Sequence, residues 1–219
     1  MIQAVLFDFD GLLLDTEYPE FQSWREVFIS HGLALAHETW VAQTGRGATL
    51  NSFSPYEALE QNLGCTIDRD AIRTARRRRF SELMEAEALL PGVEARIQEA
   101  RRLGMKVAIV SSSPREWIER YLCRFGLTDT FDAILCADDV TNTKPDPELY
   151  LAALTKLGLR AEQAIVFEDS PNGIASAKEA GLYCIAVPNR LTSLCNLDRA
   201  DLVVESLENV TIAELLLPM

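Results

Sequence analysis

Short apolar runs, separated by turns and amphipathic stretches, recur along most of the chain. They lie at residues 5–7, 107–110, 133–136, 164–167, 184–187 and, more weakly, 202–204. The runs are continuous rather than alternating and rich in β-branched residues, which is typical of parallel strands buried on both faces. From about residue 91 they alternate with helical patterns. The sequence therefore predicts an α/β protein whose core is a doubly wound, Rossmann-like parallel sheet.

Capping signals mark the starts of several predicted helices. Ser113 and Pro114, followed by Glu116, predict a serine N-cap, a proline at the first helical position and a capping box. The same combination of cap and proline recurs at Asp146-Pro147 and Ser170-Pro171.

Residues 16–88 depart from this alternation. They contain no convincing strand and predict several helices, for example at 21–30, 55–62 and 68–86. Because this segment follows the first strand, we expect a helical cap domain at 16–88, placed over the carboxyl edge of the sheet. The core domain is then expected at 1–15 and 89–219.

Composition and charge narrow the classes of function. The 219 residues are 48% hydrophobic and 25% charged, which is typical of a globular protein and argues against disorder. The 21 basic and 33 acidic residues give a formal charge of −12. Such a surface repels nucleic acid and anionic lipid, so we expect neither as a partner. The sequence specifies no oligomeric state and is compatible with a monomer.

Cysteine usage and the N-terminus suggest a compartment. Five scattered cysteines without a CxxC pair predict buried free thiols, as in a reducing cytosol, rather than disulfides or a zinc site. Two aspartates interrupt the N-terminus before any apolar run could act as a signal peptide or membrane span. The expected location is the cytoplasm.

Candidate chemistry begins at the end of the first predicted strand. Asp8 and Asp10 are two residues apart, so in an extended segment both project from one face, and Gly11 then allows a sharp turn. Two acids there are costly unless a metal or substrate uses them. Ligands of open α/β sheets bind at this edge. For this pair alone, a polar strand end with a turn is an equally good interpretation.

Three more polar clusters follow the ends of other strands or lie just beyond them. They are Ser111-Ser112-Ser113, Lys144 in a Lys-Pro-Asp-Pro loop, and Glu168-Asp169. Each has a structural alternative: a turn serine, a solvated lysine, or helix N-terminal acids favoured by the dipole. Their joint occurrence at one rim instead favours a site.

This set of residues suits phosphoryl transfer. Mg²⁺ prefers oxygen ligands and often shares them with a substrate phosphate. Asp8, Asp10, Glu168 and Asp169 could supply such ligands. One carboxylate could attack phosphorus while a second moves protons. The lysine and serine clusters, with nearby backbone amides, could stabilise the phosphoryl oxygens.

The order Asp-Phe-Asp-Gly-x-x-x-Asp, strand-end serine, Lys-Pro-x-Pro and Glu-Asp-Ser-x-x-Gly resembles the haloacid dehalogenase superfamily over about residues 3–188. Within it, the chain resembles the branch of β-phosphoglucomutase and small-phosphate phosphatases, which carry a helical cap. The resemblance implies a Mg²⁺-dependent enzyme acting on a small phosphomonoester. The implied residues are Asp8 as nucleophile and metal ligand, Asp10 as acid/base with its carbonyl on the metal, Ser111 with neighbouring Ser112 and Lys144 for phosphate, and Asp169 with Glu168 for the metal.

Individual residues distinguish between the reactions that members of this family catalyse. Dehalogenases lack the second aspartate, which is present here as Asp10, and phosphonatases need a cap lysine, whereas the first lysine here is Lys106. Mutases resemble Asp-Thr-x-Glu-Tyr-His at the cap hinge. This chain reads Asp15-Thr16-Glu17-Tyr18-Pro19-Glu20, without the histidine. We therefore expect hydrolysis of a sugar phosphate, with a phosphomutase as the alternative.

Other residues carry weaker expectations. In the cap, Arg46 between two glycines could contact the distal end of a substrate, or be a flexible exposed arginine. Glu20 could bind sugar hydroxyls, or be a solvated helix residue. The run of arginines at 76–79 predicts a solvated cap helix face, from which one arginine could reach inward. Trp117 is expected to be a packing residue.

A non-enzymatic alternative is a phosphoacceptor regulatory protein, in which phosphorylation of Asp8 would signal to a partner. Asp10 and an enclosing cap favour the enzyme, because a phosphoacceptor alone needs neither.

Overall fold

The computed structural model of the protein describes residues 1–44 and 54–216. The strands are β1 Ala4–Phe7, β2 Lys106–Val110, β3 Ala133–Leu135, β4 Ala164–Glu168, β5 Tyr183–Ala186 and β6 Leu202–Val203. The helices are α1 Glu17–Ser30, α2 His37–Thr44, α3 Pro55–Leu63, α4 Arg69–Ala86, α5 Val93–Arg102, α6 Arg115–Arg124, α7 Glu148–Leu157, α8 Pro171–Glu179 and α9 Ile212–Leu215. Short 3₁₀ turns lie at Ala137–Asp139, Ala161–Gln163, Thr192–Leu194 and Leu207–Asn209.

The six strands form one parallel sheet in the order β3-β2-β1-β4-β5-β6. The first strand is therefore central, with Phe7 in register with Ile109 of β2 and Phe167 of β4. The strand order reverses between β1 and β4, which is where open α/β sheets bind ligands. The predicted α/β class and doubly wound parallel sheet are confirmed.

Both faces of the sheet are buried. Val5 and Phe7 point into a hydrophobic cluster with α5 and α6, whereas Ala4 and Leu6 point into one with α7 and α8. This alternation explains why the strands are continuously apolar in sequence.

A third hydrophobic cluster lies among the helices that follow β1. It includes Phe21, Trp24 and Phe28 of α1, together with Leu59 of α3, and Leu191 from the loop after β5 packs against it. The described part of residues 16–88 contains helices and no strand.

The two segments that connect these helices to the sheet run side by side. Leu14 and Leu89 form an antiparallel bridge, and the Leu90 amide donates to the Leu13 carbonyl at 2.9 Å. Arg190, in the loop after β5, lies 2.9 Å from Asp15 on one connection and 3.6 Å from Glu87 on the other. One cation thus contacts both connections.

Two expectations about local structure need correction. Helix α6 begins at Arg115, and its N-cap, Pro114, makes no side-chain cap. The Arg115 amide instead donates to Asp138 Oδ2 at 2.7 Å, which frees Ser113 to face the site. All five cysteines are free as predicted, but Cys65 and Cys123 are exposed because they lie on helical surfaces and loops outside the core.

Candidate active site

Polar side chains from three neighbouring strands meet at the carboxyl edge of the sheet. Asp8 follows β1, Ser111 follows β2, and Glu168 ends β4 with Asp169 directly after it; all four are buried. Because β2 and β4 pair in register with β1, these four residues lie side by side at the carboxyl ends of the strands. The structure therefore brings together residues that the sequence places up to 161 positions apart, from 8 to 169.

Lys144 lies in the loop before α7 and points beneath this edge. Its Nζ lies 2.6 Å from Asp8 Oδ1 and 2.6 Å from Glu168 Oε1, and it donates to the Val110 carbonyl at 2.7 Å. An ammonium has three protons, so these three acceptors match its donors. The side chain is 6% exposed, which excludes the solvated surface lysine considered from sequence.

The Glu168 side chain is fully buried. Tyr150 of α7 donates its hydroxyl to Glu168 Oε1 at 2.6 Å. A Cβ at Gly173, in the first turn of α8, would overlap the Glu168 carboxylate, so this turn accommodates glycine and not a larger residue. Ser170 caps the same helix by accepting from the Gly173 amide, as predicted.

Asp169 has a neighbour that the sequence did not reveal. Asn189, after β5, donates Nδ2 to Asp169 Oδ2 at 2.8 Å and lies 3.1 Å from the Gly11 carbonyl. Gly11 has a φ of +82°, and a Cβ there would overlap the Asp169 carboxylate. The turn after Asp10 thus needs glycine for its conformation and for the close approach of Asp169.

Asp8, Glu168 and Asp169 form a cluster in which one oxygen of each lies within 4.8 Å of the others. Burial raises the pKa of Asp8 to about 8 even though Lys144 opposes the shift, and burial also raises the pKa of Asp169 well above its usual range. One ammonium does not balance three buried carboxylates. The hard oxygen donors and the excess negative charge fit a divalent cation such as Mg²⁺.

The carboxylate of Asp10 does not belong to that cluster. Its Oδ2 accepts from Ser113 at 2.6 Å and from Ser111 at 3.3 Å, and its Oδ1 accepts from the indole Nε1 of Trp117 at 2.9 Å. Ser113 is therefore a site residue rather than a helix cap. Trp117 has a polar role at the site in addition to the packing expected from sequence.

A cavity of about 490 Å³ opens above these groups. The sheet edge contributes Asp8, Asp10, Lys144, Asp169 and the serines 111–113. The helices contribute Thr16, Glu17 and Glu20 of the α1 region, Trp40 of α2 and Phe80 of α4. The volume suits a small metabolite.

The two acids of α1 differ in their surroundings. Burial and the nearby Asp10 and Asp15 raise the pKa of Glu17 to about 7, which the sequence did not indicate. Glu20 Oε2 lies 2.6 Å from Arg76 of α4. Arg76 also lies 4.9 Å from the centre of the Trp24 ring and is 13% exposed, so it is the arginine of 76–79 that reaches inward.

The remaining candidates are less tightly placed. Ser112 is exposed and lines the cavity beside Ser111. Arg46 lies outside the described residues. In the part of the chain that the structure covers, no helix is both long and apolar enough to cross a membrane.

Comparisons with known proteins agree with this geometry. Residues 5–187 match the family of haloacid dehalogenase-like hydrolases. A protein named "Putative phosphatase YhcW" from Bacillus subtilis (strain 168) is 41% identical over 216 residues, which cover 99% of this chain and 97% of that protein.

A curated protein and a solved structure from Thermotoga maritima are also similar. A phosphorylated carbohydrates phosphatase is 35% identical over 182 residues, covering 83% of this chain and 82% of that protein. A crystal structure described as "putative beta-phosphoglucomutase" is 27% identical, with a TM-score of 0.78, and the match covers 99% of this chain and 100% of that one. The resemblance inferred from the sequence is confirmed. The chain belongs to the haloacid dehalogenase-like hydrolases and is an enzyme of their phosphoric monoester hydrolase type.

Proposed function

We propose that this protein is a Mg²⁺-dependent phosphatase that hydrolyses a sugar phosphate through an aspartyl-phosphate on Asp8. The observation that carries the proposal is the bridge made by Lys144 Nζ, 2.6 Å from both Asp8 Oδ1 and Glu168 Oε1, at the floor of the cavity. A buried carboxylate beside a cation, at the bottom of a metabolite-sized cavity, is suited to attack an incoming phosphorus.

Asp8 acts as the nucleophile and Asp10 as the general acid and base. An oxygen of Asp8 forms a bond to phosphorus while the bond from phosphorus to the ester oxygen breaks, and Asp10 gives that oxygen a proton. Asp10 then takes a proton from a water whose oxygen bonds to phosphorus, and the bond to Asp8 breaks. Lys144, Ser111 and Ser112 are suited to stabilise the phosphoryl oxygens during both steps.

Asp8, Glu168, Asp169 and the carbonyl of Asp10 would hold Mg²⁺. When bound, the cation supplies positive charge that neutralises the phosphoryl oxygens and favours the anionic form of the nucleophile. Without this charge, binding a phosphate dianion beside three buried carboxylates is unfavourable.

The walls of the cavity support a hydroxyl-bearing substrate. Glu17 and Glu20 accept hydrogen bonds when ionised, and the aromatic rings of Trp40, Phe80 and Trp117 offer flat apolar surfaces. One relative acts on phosphorylated carbohydrates, in keeping with such a substrate. Arg46 is proposed to contact the end of the substrate distal to the phosphate.

Residues 16–88 are proposed to act as a cap on the core formed by 1–15 and 89–219. The paired connections at Leu14 and Leu89 are the natural hinge, because both chain crossings lie side by side there. Closure would exclude bulk water from the cavity.

The test is phosphate release from a panel of sugar, polyol and nucleoside monophosphates, with Mg²⁺ or with EDTA, by the wild-type protein and D8N. We expect release that requires both Mg²⁺ and Asp8 and is concentrated on a few sugar or polyol phosphates. Full activity in EDTA or in D8N would contradict the proposal.

The same panel separates the alternatives. Conversion of a hexose 1-phosphate to the 6-phosphate on adding the hexose bisphosphate, without phosphate release, would identify a phosphomutase. A phosphorylated Asp8 that persists without turnover would identify a phosphoacceptor regulator.

A further inference from the structure

The indole of Trp117 lies between Asp10 and helix α4. Its Nε1 donates to Asp10 Oδ1 at 2.9 Å, and its ring stacks on Phe80 of α4, with centroids 5.9 Å apart and planes 16° apart. Tyr121 contacts the same ring edge-on at 4.8 Å. The indole is therefore oriented by aromatic rings from α4 and α6 while its polar atom faces Asp10.

The two oxygens of Asp10 have different partners. Oδ1 accepts from Trp117, whereas Oδ2 lies 2.6 Å from the Ser113 hydroxyl and 3.3 Å from that of Ser111. An indole N–H only donates, whereas a hydroxyl can rotate to donate or accept. The N–H of Trp117 disfavours a proton on Oδ1, whereas the hydroxyls at Oδ2 can turn to accept one, so the geometry favours Oδ2 as the protonated oxygen of a neutral Asp10.

We propose that Trp117 is a positioning residue for Asp10. Its N–H donates a hydrogen bond to Oδ1, so Oδ2 is the oxygen that gives and takes the proton. The stacking of its ring on Phe80 links this arrangement to helix α4. The inference rests on the acid/base role proposed above for Asp10.

The proton on Oδ2 moves to the ester oxygen as the bond from phosphorus to the alcohol breaks and the bond to Asp8 forms. In the second step Oδ2 recovers a proton from the attacking water as the bond from phosphorus to Asp8 breaks. Trp117 neither gains nor loses a proton in either step, so its effect depends only on how it orients Asp10.

A comparison of two leaving groups tests this role. The alcohol of a sugar phosphate needs a proton to depart, whereas the phenolate of p-nitrophenyl phosphate does not. Because kcat/KM reports the steps up to the first irreversible cleavage, only the sugar phosphate depends on the proton of Asp10. The sugar phosphate used is the one that the wild-type protein hydrolyses fastest.

W117F keeps an aromatic ring and removes the N–H. We expect kcat/KM for the sugar phosphate to fall about tenfold, a fraction of a full general-acid contribution, and that for p-nitrophenyl phosphate to change less than about twofold. D10N should show the same selectivity with a larger loss. W24F makes the same exchange in α1, where Trp24 packs on Tyr56, and should leave the ratio of the two values unchanged.

The link to α4 is tested at Phe80. F80A should shift the indole ¹H–¹⁵N resonance of Trp117, and F80Y, which keeps the ring, should shift it less. An indole resonance that stays in place in F80A would overturn this part of the proposal.

The hydrogen bond itself is tested without turnover. The indole ¹H–¹⁵N resonance of Trp117 is identified by its loss in W117F and should shift in D10A. A resonance that does not move in D10A would overturn the inference.

The kinetic outcomes distinguish a failure of the role of Trp117 from a failure of the acid role of Asp10. Equal losses on both substrates in W117F, or none, with D10N still selective, would overturn the role of Trp117 and leave the proposed function standing. A D10N protein that loses both substrates equally, or a wild-type protein that releases no phosphate, would overturn the acid role of Asp10 and this inference with it.

Discussion

The Tyr150 hydroxyl donates to Glu168 Oε1 at 2.6 Å, and both side chains are fully buried. Lys144 bonds the same oxygen, so this single atom holds a phenol and an ammonium in place beside Asp8. Helix α7, which shows no catalytic motif, therefore orients the ion pair that the proposed reaction needs.

We expect Y150F to lower the stability of the protein by about 1–3 kcal/mol, because a buried carboxylate loses a donor. Phosphate release should also fall, since Lys144 loses the fixed position of one of its two carboxylate partners. The measurements are urea denaturation and kcat. Y183F, at the start of β5, is the matched control. A Y150F protein as stable and active as the wild type would show that the hydrogen bond has no effect.

Replacing Lys144 by alanine should reduce kcat by about 10²–10³-fold, the range for removing one donor that stabilises transition-state charge. Burial opposes the charge on Lys144, but Asp8 and Glu168 outweigh it and raise the pKa of the ammonium, so the cation is present at all working pH values. Inorganic phosphate should raise the melting temperature of the wild-type protein and not that of K144A. K156A, which removes an exposed lysine of α7, should retain activity, and a comparable loss there would contradict the prediction.

Replacing Gly173 by alanine should destabilise the protein, although the same exchange within a helix is usually stabilising. Within a helix, alanine is normally more stabilising than glycine by about 0.5–1 kcal/mol. At this position the new methyl group overlaps the Glu168 carboxylate, so G173A should destabilise the protein and lose activity.

The control is Gly32, which has a φ of +73° and open space around it. G32A should lose some stability through backbone strain alone and keep its activity. A G173A protein with raised stability and full activity would refute the overlap. Thermal melting and phosphate release measure both variants.

The effect of Mg²⁺ on stability should depend on pH. Burial raises the pKa of Asp8 from 3.8 to about 8, so between these values the metal-free folded protein binds more protons than the unfolded chain. The contribution of Asp8 to the stability of the metal-free protein therefore falls as the pH rises from 3.8 to about 8. Mg²⁺ needs deprotonated carboxylates, so it binds more tightly as the pH rises.

The increase in melting temperature caused by Mg²⁺ should thus be larger at about pH 8 than at about pH 5. D169N should reduce the increase, because it removes one carboxylate of the cluster. An equal increase at both pH values would contradict the assignment of these carboxylates to the metal.

Arg190 provides a test of the proposed hinge. Asp15 is buried and lies 2.9 Å from Arg190, which also lies 4.4 Å from the centre of the Tyr18 ring. R190A leaves that carboxylate without its cation. Because Arg190 is itself half exposed, we expect a loss of about 1–2 kcal/mol, less than for a fully buried pair.

R190A should also raise KM, since both connections lose a common contact, while R190K should recover part of the effect. The control is R199A, which breaks an exposed pair with Glu179 and should cost less than about 1 kcal/mol. Equal effects of R190A and R199A on denaturation and KM would contradict the role of Arg190.

The strands could be predicted because their burial leaves a direct trace. Both faces of each central strand are covered, so every residue from Ala4 to Phe7 is apolar, and each observed strand end lies within one residue of its predicted position. Helix α1 begins at Glu17, four residues before its predicted start, because Pro19 is tolerated in the first turn.

The positions of Asp8, Lys144, Glu168 and Asp169 could also be predicted, because parallel strands end at one edge. Other site residues depend on where a side chain points. Tyr150 lies on the apolar face of α7 and has the pattern of a core residue, and its hydroxyl gives no signal in sequence.

Ser113 is another site residue whose role could not be predicted from the sequence. It has the pattern of a helix cap, but Asp138, which follows β3, takes the Arg115 amide instead. Only the packing of β3 beside β2 brings Asp138 there, and a local sequence signal cannot anticipate such a competitor.

The position of β1 has a consequence for synthesis of the chain. β1 is a central strand of the sheet but precedes its other five strands in the sequence, and Lys144, which contacts Asp8, lies 136 residues further along the chain. Pairings so distant in sequence form slowly. A nascent chain therefore carries the proposed nucleophile, Asp8, before its contacting groups have been made, so we expect a chain that ends before Lys144 to be an inert fragment rather than an unregulated enzyme.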